Sequence, residues 1–143
     1  LVAANQPVRI GMTLEDDCSN RLRSGEPLSS AIEILADGPL ESVMINCSQP
    51  ETIPTALSEL AKLGCSYGAY ANGFKSIAPL RPGGTVRDLE SRRELDAETY
   101  TAHVLEWLQL GATIVGGCCE ITPAHIQHLH QTLLSRNILI ASF

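Results

Sequence analysis

No stretch of these 143 residues approaches the eighteen or so consecutive apolar positions that a membrane-spanning helix needs, and no membrane partner is expected. A clustered basic face is missing too. The chain has 10 Lys and Arg against 16 Asp and Glu, a net charge of −6, and its basic residues are scattered. The densest group, Arg92-Arg93, lies among Asp88, Glu90, Glu94 and Asp96. Nucleic-acid recognition depends on concentrated positive charge, so no nucleic acid is expected, and this segment reads as a solvated charged loop. Complete disulfide pairing is impossible, because the cysteines number 5, and the adjacent pair Cys118-Cys119 has poor geometry for a bond to each other. No charged-then-apolar leader opens the chain, so a cytoplasmic, reducing location is expected, where cysteine serves metal binding or catalysis more often than stapling. The opening LVAANQPVRI starts on Leu and reads like the interior of a domain, so residues 1–143 are expected to be a single partial domain from a longer chain.

What is present is an ordinary globular composition, 44% hydrophobic and 18% charged, at a length that suits one core. Four times an apolar, partly β-branched run precedes a helical pattern. The runs are Val8 to Leu14, Ser42 to Asn46, Tyr67 to Ala71 and Ala112 to Gly116. Pro27 is placed as the first helical residue, with Leu28, Ile32 and Leu35 on one face. Ile53, Leu57, Leu60 and Ala61 form the second face, and Gly64 stops it. Asp96 suits an N-cap ahead of Tyr100, Val104, Trp107 and Leu108, with Gly111 as the stop. Thr122-Pro123 opens a last helix that turns Ile126, Leu129 and Leu133 inward. His125, His128 and His130 then read as solvated helix surface rather than metal ligands.

This alternation predicts an α/β fold, parallel strands joined by helical crossovers. A small open doubly wound sheet and half of a (β/α)8 barrel both satisfy it; a full barrel typically runs to about 250 residues. One connection stands out. Residues 73 to 95 hold Pro79, Pro82, Gly83 and Gly84 with little periodicity, longer than the roughly 12–15 residues usual for a loop, so a lid and a disordered segment are both open readings.

Cys47 follows the second strand, and Cys118 and Cys119 follow the fourth, so all three fall at the carboxyl ends of parallel strands, where such folds place their chemistry. If sheet order follows chain order, one strand intervenes and the gap is roughly 10 Å, a distance two inward-leaning cysteines close around a metal. Gly116 and Gly117 are read as the hinge that lets adjacent cysteines face one point. Three thiolates without a fourth protein ligand describe an open zinc site, and a sulfur-rich site suits holding another thiol as its thiolate. A redox-active vicinal dithiol is a further option. Cys18 and Cys65 are read as cysteines without a special role.

These residues resemble a known family. Ile45-Asn46-Cys47, Tyr70-Ala71-Asn72-Gly73, and Gly116-Gly117-Cys118-Cys119 followed by Thr122-Pro123-Ala124-His125-Ile126 are similar to the homocysteine S-methyltransferases, as are Thr13-Leu14 and Leu22-Arg23-Ser24-Gly25-Glu26-Pro27-Leu28. The resemblance covers roughly residues 8 to 130. It implies a (β/α)8 TIM barrel of which this chain is the C-terminal half, strands five to eight, with Cys47, Cys118 and Cys119 as ligands of Zn2+. It further implies Asn72, Gly116 and Gly117 beside the substrate, and transfer of a methyl group to homocysteine to give methionine. The donor implied is S-methylmethionine or S-adenosylmethionine. A sequence departure lies at Ala71-Asn72-Gly73-Phe74, where many S-methylmethionine users carry Pro-Asn-Ser-Gly-Glu. The alternative reading is a catalytically incomplete zinc-binding fragment, without the half that holds the substrate and prone to self-association through an open barrel edge. The tail Ile138 to Phe143 has no assigned role.

Overall fold

The computed structural model describes residues 6–80 and 84–141. Pro82 and Gly83 of the long connection, and Ser142 and Phe143 of the tail, lie outside the described residues. Four strands, β1 (Val8–Met12), β2 (Leu40–Asn46), β3 (Ser66–Ala71) and β4 (Ile114–Gly117), form one parallel sheet in the order β1-β2-β3-β4. Helices α1 (Leu28–Leu35), α2 (Ile53–Leu60), α3 (Ala97–Gln109) and α4 (Pro123–Ser135) alternate with them. Among the described residues the strand order does not reverse, so the described sheet has no switch point of the doubly wound kind.

One face of the sheet carries the core. Val43, Ile45, Ala69 and Ala71 are buried against Leu28, Ile32, Ile53, Leu57, Leu60, Val104 and Trp107 of the helices. Because side chains alternate along a strand, the other face holds Met44, Asn46, Tyr70, Ile114 and Gly116, all only half-buried. Gly68 stands opposite Met44 and Ile114 in the ladder, where a Cβ would collide with the Ile114 carbonyl. The glycine is therefore what allows β3 and β4 to pair.

The helix signals hold at several ends. Asp96 caps α3 by accepting the Thr99 amide at 2.8 Å, and Thr122-Pro123 is the N-cap and first turn of α4. Gly64 and Gly111 stand in left-handed conformations just past their helices, at φ 68° and 89°. Other expectations shift. Pro27 is the N-cap of α1 rather than its first residue, because its ψ of 138° is extended. The first strand ends at Met12, and Leu14 instead makes an isolated antiparallel bridge to Leu22 as the chain folds back. The fourth strand runs later than expected, reaching Gly117. Ala61 and Ile126 are exposed rather than inward. Ala61 belongs to the 3-10 extension Ala61–Leu63 of α2, whose tighter winding rotates it off the buried stripe. Helix α4 packs mainly on α3, so only Leu129 and Leu133 reach the core.

The long connection is anchored near its two ends, while residues 84–88 between them are exposed. Phe74 and Ile77 are buried, Phe74 bridges Ser91, and short 3-10 turns occupy Ala78–Leu80 and Val86–Asp88. The solvated-loop reading fails at Arg92, whose side chain is only 15% exposed. It grips Glu51 with two hydrogen bonds of 2.7 and 2.8 Å, fastening the connection to the turn that precedes α2. A local charge run gives no sign of a partner 41 residues away.

Gly68→Ala is expected to disrupt β3–β4 pairing and destabilise the fold by at least about 1–3 kcal/mol, the usual range for forced overpacking, read from chemical denaturation. The Arg92 guanidinium holds the Glu51 carboxyl below its ordinary value of 4.5. That stabilisation is present above pH 4.5 and is lost as pH falls through the lower folded-state pKa. In acid titrations followed by circular dichroism, Arg92→Met is expected to flatten this part of the stability profile.

Candidate metal centre

Both cysteine-bearing loops are stitched to the strand between them. The Cys47 amide donates to the Tyr70 carbonyl at 2.9 Å, and the Cys118 amide to the Ala71 carbonyl at 2.9 Å. Just past the end of β3, the Gly73 amide returns a bond of 2.9 Å to the Cys119 carbonyl. The sheet ladder thus continues beyond the strands and fixes the separation of the loops.

Within that frame the three sulfurs converge. Cys47 Sγ lies 3.9 Å from Cys119 Sγ, and Cys118 Sγ lies 3.8 Å from it. All three sulfurs are within 4.8 Å of one another. Ligands at a tetrahedral zinc with Zn–S bonds of about 2.3 Å stand about 3.8 Å apart, so the observed spacing fits that donor set. Burial, and then the neighbouring thiols, push the Cys47 thiol up to about 12. Three sulfurs this close form a soft donor set that could hold a divalent cation, which would supply the positive charge the cluster lacks.

The adjacent cysteines converge for a different reason from the glycine hinge expected. Neither Gly116 nor Gly117 is left-handed; both belong to β4. The chain instead turns at Cys118, whose carbonyl accepts the Ile121 amide at 3.2 Å, with Glu120 left-handed at φ 66°. Gly117 is needed because a Cβ there would strike the Ile121 side chain, and Gly116 offers its carbonyl to the Tyr100 hydroxyl. Tyr100 is buried, and that burial raises its pKa.

Cys47 is itself left-handed at φ 45°, a costly conformation for a residue with a side chain. Its carbonyl accepts from Asn72 Nδ2 at 2.7 Å and from Arg23 Nη2 at 3.0 Å. Asn72 is fully buried, and its Oδ1 accepts the Phe74 amide at 2.9 Å, so its amide group ties the Cys47 loop to the segment that follows β3. Sequence reasoning placed Asn72 beside the site but saw no role for Arg23, Tyr100 or Ser48. Ser48 is buried and its hydroxyl accepts the Leu14 amide at 2.9 Å. Nothing in a single sequence pairs Arg23 with Cys47, Tyr100 with Gly116 or Ser48 with Leu14, because each pair is distant along the chain.

His130 is exposed as expected, but two histidines depart from the solvated surface. His125 and His128 are half-buried: His125 Nδ1 accepts the Thr122 amide at 3.1 Å, its Nε2 meets the Leu95 carbonyl at 3.0 Å, and His128 Nδ1 meets Thr101 Oγ1 at 2.9 Å. They tie α4 to its surroundings. Among the described residues, the one group of three or more close metal-ligating side chains is Cys47, Cys118 and Cys119. Cys18 and Cys65 are free thiols apart from it.

The molecule so far defines a class: an α/β protein that gathers three thiols at the carboxyl edge of a parallel sheet. The chain belongs to the homocysteine S-methyltransferase family, whose profile matches residues 1–133. It is similar to selenocysteine Se-methyltransferase of Brassica oleracea var. italica, 29% identical over 121 residues, covering 83% of this chain and 34% of that protein. Homocysteine S-methyltransferase 1 of Zea mays is 30% identical, covering 80% of this chain and 35% of the maize protein. The crystal structure of the oxidized form of the Escherichia coli homocysteine methyltransferase MmuM superposes with a TM-score of 0.60 at 26% identity, covering 85% of this chain and 35% of that one. The chain therefore spans about a third of the length of these relatives. None of the described helices is long and apolar enough to cross a membrane.

Asn72→Ala is expected to leave the Phe74 amide without its partner and to weaken the hold on Cys47. A loss of roughly 1–3 kcal/mol per stranded buried group follows, checked by urea denaturation against wild type.

Proposed function

We propose that this chain is the second half, strands five to eight, of a (β/α)8 barrel, and that its three thiols hold one zinc ion for methyl transfer to homocysteine. The observation that carries this reading is the triangle of sulfurs, 3.8 and 3.9 Å along its two measured sides, at the carboxyl edge of a parallel sheet. Unreversed strand order and a free, half-buried sheet face support the barrel. Five free thiols suit a reducing cytoplasm.

When bound, zinc with three thiolate ligands and one open position supplies a place where an incoming thiol is kept as its nucleophilic thiolate at neutral pH. The protein's own part is geometry. Cys47, Cys118 and Cys119 aim their sulfurs at one point, and Asn72 holds the Cys47 loop in place. Gly116, without a side chain on the free face, leaves room for homocysteine, and Gly117 seats Ile121 beneath the cysteine turn. The homocysteine sulfur attacks the methyl carbon of a sulfonium donor such as S-methylmethionine or S-adenosylmethionine; the carbon–sulfur bond of the donor breaks, and methionine and a neutral thioether leave.

A second reading is favoured by the span of the match, about a third of each relative. On that reading the chain binds zinc but is catalytically incomplete, and its β1 and β4 edges, unpaired among the described residues, promote self-association.

Prepared reduced and without chelator, the chain is expected to retain about one zinc per protomer by atomic emission, as a site of three thiolates predicts. Cys47→Ala and Cys119→Ala are each expected to lose most of it; full retention by both would overturn the ligand assignment. Radiolabelled methyl transfer to homocysteine separates the two readings. Turnover by this chain alone excludes the incomplete fragment, and zinc retention without turnover supports it.

A further inference from the structure

We propose that Arg23 is a positioning residue of the metal centre, holding Cys47 in its left-handed conformation and setting a fixed positive charge beside the thiolates. The inference rests on the zinc reading above and goes beyond its ligand set.

The loop between β1 and α1 carries Arg23 over the carboxyl edge of the sheet. Its backbone is anchored there, since the Arg23 amide donates to the Thr13 carbonyl at 2.8 Å and the Leu22 amide to the Glu26 carbonyl at 2.8 Å. From this position the guanidinium reaches the Cys47 carbonyl at 3.0 Å. That carbonyl already accepts from neutral Asn72 at 2.7 Å. A carbonyl oxygen has two lone pairs and takes a second donor readily, but a neutral donor would serve it equally, so the charge is what Arg23 adds.

The guanidinium also sits there at a cost. It is half-buried, and its Nε is buried without a hydrogen-bond partner. Asp16 and Glu15 line the same cavity as Arg23 and offset part of that cost, and ionised sulfurs of a metal-loaded centre would add to the offset. Three thiolates and a divalent ion sum to one net negative charge, and a fourth thiolate makes two. A nearby fixed cation lowers the cost of that excess where water is partly excluded. Arginine suits the task because it stays charged when buried.

The test uses the full chain as wild type, Arg23→Gln and Arg23→Lys. Glutamine keeps a donor for the Cys47 carbonyl and removes the charge; lysine keeps the charge. Zinc affinity is measured by competition with a chromophoric chelator. Arg23→Gln is expected to bind zinc about 10–100-fold more weakly than wild type, the range typical of groups that support metal ligands, and Arg23→Lys to retain most of the affinity. In the cobalt-substituted proteins, the thiolate-to-cobalt charge-transfer band of Arg23→Gln is expected at longer wavelength, because thiolates without the adjacent cation are more easily oxidised. Melting of the metal-free proteins shows whether each variant folds. Wild-type affinity and an unshifted band in Arg23→Gln would overturn the role of Arg23 and leave the zinc site standing. If Arg23→Gln does not fold, the decision passes to Arg23→Lys, and a 10-fold or greater loss of affinity there would overturn the charge role. A wild-type chain that binds no zinc would remove the metal reading, and this inference with it.

Discussion

The arrangement depends on β3. Its backbone, continued through Asn72 and Gly73, takes hydrogen bonds from the Cys47 and Cys118 amides and gives one to the Cys119 carbonyl. Adjacent strands in a parallel sheet have a fixed separation, so two loops bonded to the same intervening strand have a fixed separation as well. The sulfurs meet because ladder geometry leaves their loops little freedom. Gly68 makes this possible by letting β3 and β4 pair without a clash. Buried Asn72, bonded to both the Cys47 carbonyl and the Phe74 amide, secures the end of the strand.

Around that strand the molecule adds supports from both sides. On one side the loop after β1 brings Arg23 to the Cys47 carbonyl, and Ser48 receives the Leu14 amide. On the other, the connection after β3 is fastened down by Arg92 on Glu51, and its Ser91 hydroxyl donates to Glu120 at 2.6 Å, next to the cysteine pair. Two non-glycine residues here are left-handed, Cys47 within the cluster and Glu120 next to it. Backbone strain of this kind persists where surrounding contacts over-determine it, and here those contacts are visible.

Much of this was legible because local signals agreed. Asp96 and Thr122-Pro123 opened helices where expected, and Gly64 and Gly111 marked left-handed positions past helix ends. Helical spacing gave the buried faces of α1 and α3. Where reading failed, the determining contact was remote or the local winding changed. Arg92 read as solvent-facing until Glu51 met it, and His125 read as surface until the Leu95 carbonyl met it. The glycines before the cysteines were read as a hinge because glycine permits turns. Gly117 is instead required by the volume of Ile121, a packing reason that spacing does not reveal.

The sequence by itself determined the alternation of strands and helices, the placement of Cys47, Cys118 and Cys119 at strand ends, and the likeness to one family. Those properties follow from short-range periodicity, capping chemistry and motif identity. Only the tertiary structure decided that strand order follows chain order without reversal, that the sulfurs close to 3.8 and 3.9 Å, and that Asn72 and Arg23 share the Cys47 carbonyl. These depend on which strands pair and which loops fold back over the sheet edge. Residues 24 or more positions apart must first be brought together by the core before such contacts exist.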